Sequence, residues 1–570
     1  MVIMGPQGLT AAQVGAIWEE RPLSLLNLDF VLGGPRSDDD YDAFDAFFSD
    51  HLLAERAPSL AKGNKAADRI RAEGNRFYVS GDYHAAMGKY NESICYAAPG
   101  SEQMAIACAN RSAFNYEHNE FEQALVNIRL AKKHNYPERL MPKLLNRELS
   151  CKQKLAAGES KGLIPCPLMY INVETNPKIP FLAKGIHMEV LPDFDRSMVA
   201  DRDFRTGDVI LDEKCILAVV DAERRYHRCG RCSTEGFYSL IPCPHCVSVM
   251  YCSEKCLEWD WKYVHRFECA VSDKLQYISY GHVAMGSKLF LYGLSLFNDD
   301  LDEMMRYFET LEKSGGNALN LDYTEYDPLE EWKDLCNVTV VEPGLIFAYR
   351  NENFARLAGS AHCYMLLKNP AVAAIVNTPA KRTFMYQRVR DFVRLANFYK
   401  WESFSSPLCP VASLFNHSCD ANAVATIHSD KIRIVVLRPI RAGEQICVSY
   451  GPSWWDKPDP TPYRAHFECK CVACDPEKYD EWRAQGREPP ASFFKNAETA
   501  IAVLGDELAN NAAKYNAITQ LIEKYAYLHP QKNFAALLYK HQESLRTLID
   551  DEDGTYHRTI AHAKLEEEDE

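Results

Sequence analysis

Between Cys229 and Cys269 the chain carries eight metal-type ligands in the order Cys229-x2-Cys232-x10-Cys243-x2-Cys246-x5-Cys252-x3-Cys256-x8-His265-x3-Cys269. Four such ligands saturate a tetrahedral zinc ion, so eight close two sites and leave no coordination position open for catalysis. A segment of about 40 residues has too little apolar core to fold unaided, and zinc binding would supply most of its folding free energy. Further on, Cys469-x-Cys471-x2-Cys474 offers three more thiolates and needs a fourth ligand. Eleven of the 20 cysteines fall in two compact groups at metal-ligand spacing, 229–269 and 419–474. In a reducing compartment that pattern selects zinc over disulfides. The others, Cys95, Cys108, Cys151 and Cys215 among them, read as small buried apolar residues.

At 570 residues the chain exceeds what one hydrophobic core can organise and should divide into modules. No run reaches the roughly 18 apolar residues of a membrane span, and the N-terminus lacks a basic flank leading into an apolar core. The expectation is a soluble protein of the cytoplasm and nucleus with no membrane partner. The net charge of -15, partly concentrated in the tail Leu565-Glu-Glu-Glu-Asp-Glu570, argues against broad binding to nucleic acid.

Residues 1–60 combine an apolar start, the acidic run Asp38-Asp39-Asp40 and an aromatic patch from Tyr41 to Phe48; a short docking helix and a mobile arm both fit. Over 61–160 the helical period dominates, and two segments answer each other. Glu73-Gly74-Asn75-Arg-Phe77 with Gly81-Asp82-Tyr83 and Ala86 aligns with Asn110-Arg-Ser112-Ala with Asn119-Glu-Phe121 and Ala124, an offset of 38 residues from Ala86 to Ala124. Small residues at a helix crossing, flanked by aromatics, let helix pairs stack, and the segment resembles a tetratricopeptide (TPR) array of two repeats and a partial third. Arg71 and Asn75 lie at i,i+4, as do Lys143 and Arg147, so each pair shares a helix face. With Asn110 they resemble the clamp by which some such arrays hold the C-terminal EEVD of heat-shock chaperones. A solvated charged face is the alternative. Pro165, Pro167, Pro177, Pro180 and Pro192 mark a linker into a different fold.

Three motifs in the second half bear on chemistry: Ser413-Leu-Phe-Asn416-His417-Ser418-Cys419-Asp, Gly443-Glu-Gln-Ile-Cys-Val-Ser-Tyr450-Gly451-Pro452, and Phe467-Glu-Cys469-Lys-Cys471-Val-Ala-Cys474. They resemble the active-site half of a SET-domain protein-lysine methyltransferase, and the earlier cysteine cluster has the spacing of a MYND zinc module. The combination resembles the SET and MYND domain-containing methyltransferases over about residues 66 to 480. The N-terminal helical array and Tyr450-Gly451-Pro452 point to the fourth member's subfamily.

The fold class this resemblance implies is a multidomain α+β chain. Its parts are an N-terminal segment 1–60, TPR-like repeats 61–160, the first part of a small-strand SET domain 175–228, a MYND module 229–269, a helical insertion 275–400, the SET core 401–455, a post-SET zinc segment 460–480 and C-terminal helices 491–566. Asp195 to Ala200 and Phe204 to Glu213 read as strand, glycine turn and strand, like the family's opening hairpin. By resemblance the MYND ligands interleave, with Cys229, Cys232, Cys252 and Cys256 on one ion and Cys243, Cys246, His265 and Cys269 on the other. Cys419 would join Cys469, Cys471 and Cys474 on a third zinc.

The resemblance further implies S-adenosylmethionine as methyl donor, contacted by Phe194, Asp195, Arg196, Asn397, Asn416, His417, Tyr450 and Phe467, with Tyr450 as the catalytic residue. Trp261 also matches the MYND pattern, and MYND modules bind proline-containing peptides. Three positions depart from the family: Asp195 stands where glycine is common, Ala465 where a channel-lining tyrosine is common, and Ala421 where proline is frequent.

Lysine methylation is an in-line displacement at a sulfonium methyl carbon, and the attacking amine must be neutral although free lysine has a pKa of ~10.4. A narrow apolar channel favours the neutral amine, while a tyrosine hydroxyl and backbone carbonyls align the methyl donor. The expected activity is methyl transfer to a protein lysine. Asp195 and Ala465 motivate a rival, a scaffold of weak or no activity that recruits chaperones or transcriptional partners through its TPR and MYND surfaces. The basic run Arg224-Arg225-Tyr-His227-Arg228 motivates a DNA-binding zinc protein, against which stand the net charge and the non-repeating, fully ligated zinc cluster.

Overall fold

The computed structural model describes residues 41–50, 60–159, 170–192, 195–234, 239–278, 281–311, 315–337, 345–398, 405–428, 430–451, 453–456, 469–505 and 511–548. Phe194, Ala465, Phe467, Pro452, the acidic run at 38–40 and the acidic tail lie outside these residues.

Among the described residues, one helix, α1 (Tyr41–Asp50), precedes a set of antiparallel hairpins. These are α2 (Asn64–Val79) with α3 (Tyr83–Tyr96), and α4 (Glu102–Glu117) with α5 (Phe121–Lys133), followed by α6 (Met141–Ala156). Helix starts recur at a fixed offset, 64 to 102 and 83 to 121, which is 38 residues in both cases. Asp82 and Ser101 cap α3 and α4 by accepting the backbone N–H groups of Ala85 and Met104, which the helices themselves leave unbonded. At Gly74 a Cβ would lie 2.8 Å from the Tyr90 ring, so only glycine lets α2 and α3 cross this closely.

The hairpins are not a free-standing array. Ile94, Cys95, Phe121 and Ala124 belong to one buried cluster with Cys229, Leu240, Val247 and Tyr251 from the cysteine-rich segment. Asn91 donates to the Tyr226 carbonyl at 2.8 Å. The fully buried Arg111 donates to Asn91 Oδ1 at 2.9 Å and to the Leu240 carbonyl at 2.8 Å. His84 of α3 stacks on His227 at 4.9 Å.

Nine strands are described: β1 (Ile186–Leu191), β2 (Asp195–Ala200), β3 (Val209–Lys214), β4 (Leu217–Val220), β5 (Ile241–Pro242), β6 (Met250–Tyr251), β7 (Ser405–Leu408), β8 (Ala423–His428) and β9 (Lys431–Val436). They form four small antiparallel sheets, β1-β2, β3-β9-β8, β4-β7 and β5-β6. Here the pairing departs from the sequence reading, in which β2 and β3 share a hairpin. β2 pairs with β1 instead, Leu191 facing Asp195. Gly207, at φ +88°, turns the chain so that its N–H meets the Val436 carbonyl and β3 runs out along β9.

Sheet β5-β6 and the short helix α7 (Glu254–Asp260) build the cysteine-rich module, Ser253 Oγ capping α7 at the Cys256 N–H. Beyond it, α8 (Gly281–Leu296), α9 (Leu345–Leu366) and α10 (Pro379–Phe398) pack around Leu289, Phe290, Trp332, Met365, Val389 and Phe392. α1 docks on this lobe: Phe44 and Phe48 are buried in the same cluster, and Tyr386 donates to Asp45 Oδ1 at 2.5 Å. Of the two forms open to the N-terminal stretch, residues 41–50 take that of a docked helix.

Helices α11 (Ala491–Gly505), α12 (Asn511–Tyr525) and a third over 532–548 are the last of the described residues. They back the central sheet, Tyr515 packing with Val209 and Val435. Among the described residues no helix is long and apolar enough to cross a membrane.

Candidate active site and metal centres

One helical turn, Ala412–Leu414, leads into Phe415, Asn416 and His417. These residues run parallel to the end of the Ile446–Tyr450 segment: the Val448 N–H donates to the Asn416 carbonyl, and the Ser418 N–H donates to the Val448 carbonyl, both at 3.0 Å. The crossing therefore places Tyr450 directly over the Phe415–His417 backbone. The Tyr450 hydroxyl donates to the Phe415 carbonyl at 2.6 Å, and its N–H donates to His417 Nδ1 at 2.9 Å.

Although 40% of Tyr450 is open to solvent, its hydroxyl is turned inward, and that desolvation raises its pKa above the ordinary phenol value. It is therefore a protonated donor and not a base. His417, with Nδ1 accepting, carries its proton on Nε2, which faces Cys419 Sγ at 3.3 Å. One imidazole thus couples the tyrosine backbone to a thiolate cluster.

Asn416 reaches across to the β1-β2 hairpin, donating to the Arg196 carbonyl at 2.7 Å and to Ser197 Oγ at 3.1 Å. Gln445 donates to the same hydroxyl at 2.9 Å. Asp195 and Arg196 therefore sit on the strand that Asn416 holds. Asp195 has φ +54°, the left-handed region natural to glycine and tolerated by aspartate. Arg196 donates to the Gly316 carbonyl at 3.3 Å. Asn397 lies in the last turn of α10.

The twelve zinc-type ligands form three groups, in each of which all four ligand atoms lie within 4.8 Å of one another: Cys229, Cys232, Cys252, Cys256; Cys243, Cys246, His265, Cys269; and Cys419, Cys469, Cys471, Cys474. Tetrahedral Zn–S bonds of ~2.3 Å put sulfurs about 3.8 Å apart. The observed Cys232–Cys252 and Cys252–Cys256 separations are 3.6 Å, and Cys243–Cys269 is 3.8 Å. His265 presents Nε2 to Cys243 and Cys246 at 3.3 and 3.5 Å. These donor sets fit three zinc ions. Beside the third group, the buried Asp420 accepts from Arg438 at 3.2 Å and from His529 of the C-terminal helices at 2.8 Å. Burial alone would raise its carboxyl, but these two neighbours outweigh burial and hold it below the ordinary range.

The clamp candidates are partly engaged within the chain. Arg71 pairs with Asp68 at 2.9 Å, and Asn75 Oδ1 accepts from both Tyr90 and Asn110. Arg147 donates to the Ala109 carbonyl and to Ser112 Oγ, while Lys143 is exposed. The sequence reading missed Ser197, Gln445 and Glu213, whose partners lie some 200 or more residues away and leave no local pattern.

The SET domain family matches residues 195–451, a range that runs through the cysteine-rich module and the helical lobe. Against the protein-lysine N-methyltransferase SMYD4 of Danio rerio the chain is 26% identical over 250 residues, covering 40% of this chain and 32% of the relative. Against that of Mus musculus it is 23% identical over 554 residues, covering 74% of this chain and 68% of the relative. Against the histone-lysine N-methyltransferase ASHR1 of Arabidopsis thaliana it is 24% identical over 294 residues, covering 50% of this chain and 54% of the relative. The matched stretch thus spans from about a third to about two thirds of these relatives' lengths.

Proposed function

Because this chain belongs to the SET and MYND domain family, in its SMYD4-like branch, we propose that it is an S-adenosylmethionine-dependent protein-lysine N-methyltransferase with Tyr450 as its catalytic residue. The observation that carries the proposal is the inward hydroxyl of Tyr450 bonded to the Phe415 carbonyl at 2.6 Å. S-adenosylmethionine, when bound, supplies a methyl group on a positively charged sulfur. Tyr450 and Phe415 line up oxygen atoms suited to orienting such a group without a strong base. Asn416 and His417 brace the crossing on which both stand. The backbone at Asp195 is left-handed, a conformation natural to glycine, so the strand edge has a shape that suits close approach of a ligand.

On this reading the cysteine-rich module is a MYND module and α2–α6 are TPR-type repeats, with the domain limits given by the sequence reading. Phe194, Arg196, Asn397 and Phe467 are further contacts for the methyl donor, and the protein works in cytoplasm and nucleus. Its partners are a lysine-bearing protein substrate, proline-containing peptides at Trp261, which is 37% exposed, and EEVD-ending chaperones at the Lys143 face.

Zinc-replete protein tested with radiolabelled S-adenosylmethionine on a lysine peptide array decides the matter. Tyr450→Phe removes one hydroxyl bond worth about 1 kcal/mol of stability, so the fold stays intact, while turnover falls about 10²–10³-fold. Undiminished transfer by the variant overturns the role of Tyr450. A wild-type protein that neither binds the methyl donor nor transfers methyl overturns the enzyme in favour of a scaffold.

A further inference from the structure

Glu213, near the end of the strand after the Gly207 turn, lies outside the three motifs around Asn416, Tyr450 and Cys469. It stands on β3 opposite Ile432 of β9, with its side chain 2% exposed. Its Oε1 accepts the Val411 N–H at 2.9 Å and its Oε2 accepts the Ala412 N–H at 2.6 Å. These are the donors that open the turn Ala412–Leu414, where a helical turn leaves its first N–H groups without partners of its own. The same turn ends at Phe415, whose N–H closes back on the Ala412 carbonyl and whose own carbonyl takes the Tyr450 hydroxyl. A segment of five residues is therefore gripped at its start by Glu213 and at its end by Tyr450.

We propose that Glu213 is a positioning residue of the active site: acting through Val411 and Ala412, it sets where the Phe415 carbonyl stands and so where the Tyr450 hydroxyl points. The carboxyl is held at some cost. Burial pushes it up to about 8, and the charged group that acts on it is another carboxylate, Glu331; Tyr323 and Cys409 are the further titratable groups it faces. A buried acid whose direct partners are two backbone N–H groups is expensive to keep for packing alone. Its place at the head of the Phe415 turn accounts for it.

This role rests on the methyl-transfer reading, whereas the mechanical link from Glu213 to Tyr450 does not, and two readouts separate them. In the full zinc-replete chain, 3-fluorotyrosine placed at position 450 reports the hydroxyl environment by ¹⁹F resonance. Measured above pH 8, where the carboxyl is ionised and both of its oxygens accept, Glu213→Gln substitutes an N–H₂ donor for one acceptor and leaves a backbone N–H facing it. The fluorine resonance moves in this variant, and kcat on a peptide from the array falls about tenfold or more while KM for peptide and methyl donor stays within about twofold. Glu213→Asp, which keeps both oxygens, restores part of the shift and part of the rate. A fluorine resonance unmoved in a folded Glu213→Gln protein, or an unchanged kcat, overturns the proposal. Should Glu213→Gln fail to fold, the Glu213→Asp variant carries the same test, since its shorter reach must still displace the resonance. If wild-type protein transfers no methyl group, the enzyme reading fails, and the fluorine arm still decides the link.

Discussion

Replacing Arg111 with alanine should loosen the zinc module from a distance. The guanidinium is fully buried on α4, no carboxylate pairs with it among the described residues, and burial lowers its pKa. Its donors satisfy the Leu240 carbonyl, which lies between the ligands Cys232 and Cys243, and Asn91 Oδ1, whose amide in turn holds Tyr226. Removing it orphans two buried acceptors at about 1–3 kcal/mol each, so ~2–6 kcal/mol, and the cavity adds to this. Relief from keeping an unpaired charge out of water offsets part, leaving a net loss of about 3 kcal/mol. At roughly 2–4 °C per kcal/mol for a unit of this size, thermal melting should fall by about 6–12 °C. Release of zinc to a chromogenic chelator should quicken along with it. Arg111→Lys keeps the charge but can serve only one acceptor well, and should fall between. If Arg111→Ala melts and releases zinc as the wild type does, the shared core does not couple the helices to the metal module.

Native mass spectrometry should count three zinc ions, and Cys474→Ser should lower the count to two while the pair in 229–269 stays; a count of two in the wild type contradicts the third centre. His541, buried against Tyr515 in the C-terminal lobe, has its pKa lowered to about 4 by burial. Its neutral form is favoured in the fold, so its contribution is complete above the unfolded value of ~6.5 and is lost as pH falls toward 4. Urea midpoints should show wild type losing up to about 3 kcal/mol relative to His541→Phe between pH 7 and pH 4; a difference that does not vary with pH refutes this. Asp195→Gly should relieve left-handed strain of about 1 kcal/mol and tighten S-adenosylmethionine binding in calorimetry. Lower stability or weaker binding would count against the hairpin turn as a cofactor edge.

Legibility of the chain followed the range of the interactions. Each ligand pair of the cysteine-rich module sits within four residues, so Cys229-x2-Cys232, Cys243-x2-Cys246, Cys252-x3-Cys256 and His265-x3-Cys269 announce chelation locally. The 38-residue echo in the helices is likewise written in small and aromatic residues at helix crossings. Asn416, His417 and Tyr450 were legible as motifs, but what binds them together was not. The crossing of 416–418 with 448 makes the Tyr450 hydroxyl a donor to Phe415.

Contacts across long stretches of chain carry no such signature. Glu213 meets Val411 over 198 residues, and an acid ending an apolar strand reads in sequence as a solvent-facing end. Arg111 reads as a helix-surface cation until the cysteine-rich module closes over it. β3 could have paired with β2 by periodicity alone, and only the turn at Gly207 together with the competing edge of β9 selects otherwise. Ligand type and spacing are properties of a few adjacent residues and survive in the linear text. Burial, pairing and the aim of a hydroxyl are properties of segments brought together by the folded core, and they exist only once that core has formed.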